Sequence, residues 1–220
     1  YRVLDFGTGV VPMENGAILN SARADAHGHR GLAAWLRDTE AKWNEHSNKD
    51  VDGAPRVALA QSLNHLQKLT AQAARAPIRI LYSASGTRLS ACWIEDDEPI
   101  VDKKAYWSAA NSLEEAAYVA AVLNTRIVLD RVRDLQPIGQ RDPRDFDNLV
   151  WTLPIPEFEA AELLHRDLAA AALHAATVAA LVELPDDAHF TTKRRAIRQA
   201  LVADGVAETI ERLVDALLPL

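Results

Sequence analysis

Apolar positions recur with helical spacing before residue 77 and after residue 112, and give way to short β-type runs between them. Leu32, Trp35, Leu36 and Trp43 sit on one helical face, flanked by charges, and predict a helix from about Gly28 to Asn44. Asn48 to Pro55 reads as a loop, because it gathers Asn, Asp, Gly and Pro. Leu59, Leu63, Leu66 and Leu69 predict a second helix, ending before Pro77. The first stretch, to about Gly28, follows neither period.

The period then changes. Ile78 to Tyr82 and Leu89 to Ile94 are β-type runs on either side of Ser85-Gly86-Thr87, which has turn composition. Ile100-Val101 and Ala105 to Ser108 continue the series as further short strands. Ser112 followed by Glu115 is a capping box that opens a helix through Leu123. A second helical piece, Arg126 to Leu135, precedes a loop over Gln136 to Pro143. Leu149 to Leu153 reads as a short strand stopped by Pro154 and Pro156. Beyond it the pattern is helical. Glu157 to Leu184 forms one or two helices with an alanine-rich face suited to close packing. Two amphipathic helices follow, Thr191 to Ala203 and Val206 to Leu218, joined at Asp204-Gly205. The expected class is α+β: a small mixed or antiparallel sheet centred on residues 78–109 and 149–153, flanked by helices, with a helical C-terminal segment.

Composition adds limits. At 220 residues and 49% hydrophobic, the chain can build a core of ordinary size. No apolar run approaches the ~20 residues that span a bilayer, since the longest, Leu168 to Leu184, is broken by His174 and Thr177. The opening at Tyr1 shows no basic-then-apolar leader, so the expectation is a cytoplasmic protein met here as an internal or C-terminal piece. The net charge of -7 excludes a globally basic nucleic-acid surface. Acid is concentrated late: residues 1–78 hold nine basic and eight acidic side chains, and residues 156–220 hold six and eleven. A local basic face remains open.

Few residues survive as candidates for chemistry. Asp5-Phe6-Gly7-Thr8-Gly9 resembles a nucleotide or S-adenosylmethionine loop, but Pro12 and Asn15-Gly16 follow where a helix should begin. It reads as a turn. The catalytic tetrapeptide of adenine methyltransferases (Asn or Asp, Pro, Pro, aromatic) is absent. The histidines fall outside metal-ligand spacing and read as solvated or capping groups: His27 and His29 are two apart, His165 and His174 nine apart. Cys92 is alone, flanked by Ala91 and Trp93, and reads as a buried packing residue. The acidic run Glu95 to Glu98 reads as a solvated hairpin end. No residue is assigned a catalytic, cofactor-binding or metal role.

What remains is polar and of a binding type. Ser83, Ser85, Thr87 and Arg88 crowd one turn; Lys103, Lys104, Tyr106 and Trp107 crowd the next strand; Gln140, Arg141 and Arg144 crowd a loop beside Gly139. Arginine suits guanine and phosphate, glutamine suits adenine, and serine, threonine and lysine suit phosphate. Exposed loops carry the same residues for solvation alone, so composition leaves both readings open.

A longer resemblance covers residues 59–174. Leu66-Gln67-Lys68-Leu69-Thr70-Ala71-Gln72 leads into Ile78-Arg79-Ile80-Leu81-Tyr82-Ser83-Ala84-Ser85-Gly86-Thr87. Ile100 to Trp107 follows, then the helix ending Tyr118 to Thr125, then Gly139-Gln140-Arg141, Asp145-Phe146-Asp147 and Leu153-Pro154-Ile155-Pro156. In order and spacing this series resembles the C-terminal specificity region of adenine N-6 DNA methyltransferases of restriction-modification systems. Its close is similar to type I specificity subunits, where a leucine-asparagine helix end precedes a glycine loop, a Leu-Pro-x-Pro close and a long helix.

The resemblance implies a target-recognition domain that grips duplex DNA while a separate domain, in the same protein or a partner subunit, methylates the adenine with S-adenosylmethionine. Residues 1–77 would be an N-terminal mixed and helical segment, 78–156 the sheet-centred recognition core, and 157–220 a helical spacer that docks the catalytic part. Arg88, Lys103, Lys104, Arg141 and Arg144 would neutralise phosphates, with Ser85, Thr87 and Gln140 nearest bases or backbone. The alternative is a structural module whose C-terminal helices dock a neighbouring domain or subunit without touching DNA, which the acidity of residues 156–220 favours. On the first reading, Arg141→Ala with Arg144→Ala weakens DNA binding by the full-length enzyme. The plot of log affinity against log salt flattens by roughly one unit per lost phosphate contact; an unchanged titration counts against the assignment.

Overall fold

The computed structural model describes residues 13–14, 17–73, 76–96, 99–101, 104–136, 145–146 and 148–218. The chain divides into two compact units, residues 1–75 with 97–100 and residues 76–96 with 101–220.

In the first unit, a two-residue antiparallel ladder pairs β1 (Met13–Glu14) with β2 (Ala17–Ile18). Two helices pack against each other: α1 (Ser21–Ala26) and α2 (Arg30–His46). Asn20 caps α1 by accepting the Arg23 N–H at 2.9 Å, and Gly28, at φ +81°, turns the chain between them. Leu19, Ala24, Ala33, Leu36 and Leu59 form the small core, with Leu32, Trp35 and Trp43 against it. The Trp43 indole donates to the Val57 carbonyl at 2.7 Å and ties the following loop to α2. That loop is built on Asp50, whose carboxylate accepts from the backbone of Asp52 and Ala54.

The helix expected over Leu59 to Leu69 stops early. Helix α3 spans Leu59–Leu63, and two short 3-10 turns follow, His65–Gln67 and Thr70–Ala73. Asn64 is the reason. Its side-chain oxygen accepts from the backbone N–H groups of Leu69 and Thr70 at 3.2 and 3.0 Å, offering the chain an alternative to the helical ladder. Leu66 and Gln67 take positive φ within that bend.

The second unit is α+β. Strands β3 (Arg79–Ser83), β4 (Ala91–Ile94) and β5 (Ala105–Ala109) form an antiparallel sheet of order β4-β3-β5. The register pairs Tyr82 with Ala91 on one side and Tyr106 on the other. Period-two alternation sends Ile80 and Tyr82 into the core and leaves Arg79 and Leu81 on the opposite face. Arg79 is nonetheless buried: it donates to the Asp96 carbonyl at 2.7 Å and lies 5.9 Å from the Trp107 ring.

Helix α4 (Leu113–Leu123) lies between the sheet and α6 (Leu163–Ala180). Ser112 caps it by accepting the Glu115 N–H, while the Glu115 carboxylate reaches back to the Asn111 N–H. Seven of its eleven residues are buried, four of them alanines, so it is apolar almost all round. Helices α5 (Arg126–Leu135), α7 (Phe190–Asp204) and α8 (Val206–Leu217) complete the unit. Val128, Leu129 and Val132 of α5 and Val214 of α8 join Tyr118, Leu123 and Leu168 in one core with the sheet. Among the described residues, no helix is long and apolar enough to cross a membrane.

Three expectations need correction here. Leu149–Thr152 is a 3-10 turn and not a strand, so the sheet lies within residues 79–109. Local bonds from Leu149 to Phe146 and from Trp151 to Asn148 satisfy that backbone without a strand partner. Ile100-Val101 is not a strand. The long helix begins at Leu163 instead of Glu157, because the buried His165 accepts the Glu159 N–H on Nδ1 at 3.0 Å and fixes a turn there. His165 is thus neither solvated nor a helix cap.

Tyr118 joins this approach segment to the core. Fully buried, it donates to the Pro156 carbonyl at 3.0 Å and packs against Phe158 and His165. Burial pushes its phenol up to about 12. A phenol whose pKa is raised in the folded state contributes stability present below the unfolded value near 10 and lost as pH rises toward about 12. Tyr118→Phe is expected to cost about 1 kcal/mol at neutral pH and to remove that alkaline loss. Urea unfolding of both proteins across this pH range measures it; parallel pH profiles would overturn the assignment.

Candidate nucleic-acid interface

Between β3 and β4 the chain makes a polar turn, residues 84–90, that is held from several sides. Ala84 donates to the Lys104 carbonyl at 3.0 Å, and Phe146 donates to the Ala84 carbonyl at 2.9 Å. Ser85 forms a β-bridge with Asp145. Gly86, at φ +149°, takes a conformation in which a side chain is strained. The Arg133 guanidinium donates to the Thr87 carbonyl at 2.9 Å and also pairs with Asp130. Leu89 is buried and plugs the turn into the core, and Ser83 and Ser90 close it through backbone and hydroxyl bonds. At the β4 end, the Asn124 amide clamps Ala91, accepting its N–H at 3.0 Å and donating to its carbonyl at 2.8 Å.

This frame presents Ser85, Thr87 and Arg88 to solvent on one turn. Lys104 is exposed too and meets the turn through its carbonyl. Lys103, Gln140, Arg141 and Arg144 lie outside the described residues, as does the Asp5–Gly9 loop. The two residues bounding segment 137–144 are nevertheless fixed at this turn. The Gln136 amide donates to the Asp145 carbonyl at 2.7 Å, and Asp145 bridges Ser85.

The structure adds residues that the sequence reading assigned to docking. Helix α7 carries Lys193, Arg194, Arg195 and Arg198. Arg194 donates to the Ser90 hydroxyl, bringing the helix onto the turn from more than 100 residues away. Arg88, Arg194 and Arg195 are all close enough to act on Arg198, whose pKa is lowered first by desolvation and then by these three like charges. Among the described residues, no carboxylate lies within ion-pairing distance of any of the four arginines. Other arginines of the unit have partners: Arg126 and Arg133 share the Asp130 carboxylate, and Arg131 donates to the Leu218 carbonyl. The result is a local cationic patch on an acidic chain. Its sequence signal was Lys193-Arg194-Arg195-x-x-Arg198, hidden by the eleven acids of residues 156–220.

Those acids gather elsewhere. A shallow groove on α5 and α8 is lined by Glu208, Glu211 and Asp215, with Arg212 its basic member. Among the described residues, no group of three His, Cys, Asp or Glu is placed to hold a metal ion. His174 pairs with Asp204 at 2.9 Å, and His27 and His29 flank the α1–α2 turn. Cys92 is exposed on the sheet and not buried as expected, since it falls on the face away from α4; partial burial still pushes its thiol up, so it stays protonated. No family model, curated protein or solved structure matches the chain.

The Asn124 clamp sets the end of the turn at which Ser90 meets Arg194. Asn124→Ala is expected to cost about 1 kcal/mol, because its side chain is exposed and water can replace part of the bonding. Amide hydrogen exchange should quicken at Ala91 before it does in α4. Uniform acceleration throughout the unit would show that the clamp is not local.

Proposed function

We propose that the second unit is a DNA-binding, target-recognition element of a larger adenine-N6 methyltransferase or restriction-modification enzyme. The observation that carries this reading is that Arg194 of α7 is fastened to Ser90, two residues from the exposed Arg88 on a turn held from several sides, and that among the described residues no carboxylate lies within 4 Å of Arg88, Arg194, Arg195 or Arg198. Positive charges kept together without counter-ions raise one another's energy, and a polyanion relieves all of them at once. A duplex offers one phosphate charge per roughly 1.7 Å of axis, so several arginines can be satisfied together. Ser85 and Thr87, exposed beside Arg88, supply hydroxyls for phosphate or base contacts. The resemblance of residues 59–174 to specificity regions points the same way. On this reading the segment containing Gln140, Arg141 and Arg144, with Lys103 and Lys104, extends the contact. Catalysis and S-adenosylmethionine belong to another part of the enzyme, and the compartment implied is the cytoplasm.

The rival reading, a helical docking module without DNA contact, has its own support. Leu181 at the end of α6 and Phe190 and Val202 on α7 are 79%, 58% and 69% exposed. Fluorescence anisotropy with a labelled duplex, at low and at physiological salt, separates the two. The chain is expected to bind DNA, and Arg88→Ala/Arg194→Ala/Arg198→Ala is expected to weaken binding and lower the salt slope by about two to three units. Equal affinity and slope in the triple variant would sink the proposal. Absence of binding together with concentration-dependent association in sedimentation would favour docking.

A further inference from the structure

The arginine patch explains grip but not choice. Helix α7 has no buried residue and lies on the surface of the unit, against α6 and α8. It rests on its neighbours through partly buried Ala196, Ile197, Ala200 and Leu201. Advancing ~100° per residue, the opposite face carries Thr191, Arg195, Arg198 and Val202, with Thr192 and Gln199 on one flank and Arg194 on the other. All seven are exposed. The Arg194 flank is the one fastened to Ser90 and the turn. The Gln199 flank carries no charge.

Resting on the proposal that this unit holds a duplex, we infer that α7 enters the major groove and that Arg195 and Gln199 read base edges there. The groove is about 12 Å wide and admits one helix, and a helix lying on the surface with a bare face needs no rearrangement to enter it. Arg88 and Arg194, to one side, take the phosphates of the groove wall. Arg195 and Gln199 are one turn apart, about 6 Å along the axis, which spans roughly two base steps. An arginine fork matches the O6 and N7 of guanine, and a glutamine amide matches the N6 and N7 of adenine. Val202, three residues on and 69% exposed, is then an apolar contact for a thymine methyl.

The test is selection of duplexes from a random pool on the intact chain at fixed salt, followed by affinities for the enriched and scrambled sites. The wild-type chain is expected to enrich a short motif containing guanine and adenine about two steps apart. Arg195→Ala should relax the guanine position and Gln199→Ala the adenine position, each by roughly tenfold or more in the ratio of specific to scrambled binding. Arg88→Ala should weaken enriched and scrambled sites alike and leave the motif in place. Thermal melting checks that each variant is folded. A wild-type chain that binds DNA but enriches nothing, or a Gln199→Ala variant that selects the same motif as strongly, overturns the inference and leaves the grip standing. A wild-type chain that binds no duplex removes both.

Discussion

Alanine at positions 116, 117, 120 and 121 allows α4 to approach the sheet on one side and α6 on the other, and the second unit is arranged around that approach. A side chain with no γ-atom loses no rotamer entropy on burial and brings backbones close, so contact is gained without the cost of ordering long side chains. Larger residues then fill the remaining space. Tyr118 and Leu123 of α4, Leu168 of α6, Val128 of α5 and Val214 of α8 are all essentially inaccessible. Because interiors are close-packed, this leaves α4 little freedom to shift or rotate. The position of everything outside it follows.

The turn at 84–90 inherits that rigidity through specific links. Asn124, at the end of α4, holds Ala91 of the edge strand, and Leu89 is seated in the core. Arg133, on α5, fixes the Thr87 carbonyl. Helix α7 is then brought onto the same turn by Arg194. A charged patch on a mobile loop would spread its cations apart. Here the backbone bearing Arg88 is fixed by the bonds at Ala84, Ser85 and Thr87, which keeps its side chain near Arg198.

Much of this was legible in the sequence, and the failures share a cause. Capping at Ser112, the β-type runs at 78–82 and 89–94, and the α7 and α8 helices depend on residues within one turn or one strand of each other. They are local, and local chemistry decided them. The errors arose where a distant or competing partner won. Asn64 drew the backbone of Leu69 and Thr70 away from a helix that leucine spacing favoured. His165 captured the Glu159 N–H and delayed α6. Leu149 to Leu153 had strand composition but closed its own 3-10 bonds beside Phe146. The candidate site divides the same way. Ser85, Thr87 and Arg88 were visible as a polar turn, whereas Arg194 and Arg198 reach it through tertiary packing that no window of sequence contains.

Charge is where the two scales meet. A net of -7 describes the whole chain, but in physiological salt a charge is felt over about 8 Å, far less than the width of a unit this size. Arg88, Arg194 and Arg195 all act on Arg198, and Glu208, Glu211 and Asp215 gather in a groove on other helices. On the proposed reading, an approaching polyanion responds to the patch as it comes close. Exposed cations in high dielectric repel each other only weakly, by about 1 kcal/mol for a pair at 4 Å in bulk water. The fold can thus carry the patch at small cost to stability. The same weakness means that one small anion gains little there. On the proposed reading, a ligand must meet several arginines together, which a regular array of phosphates does where isolated carboxylates do not.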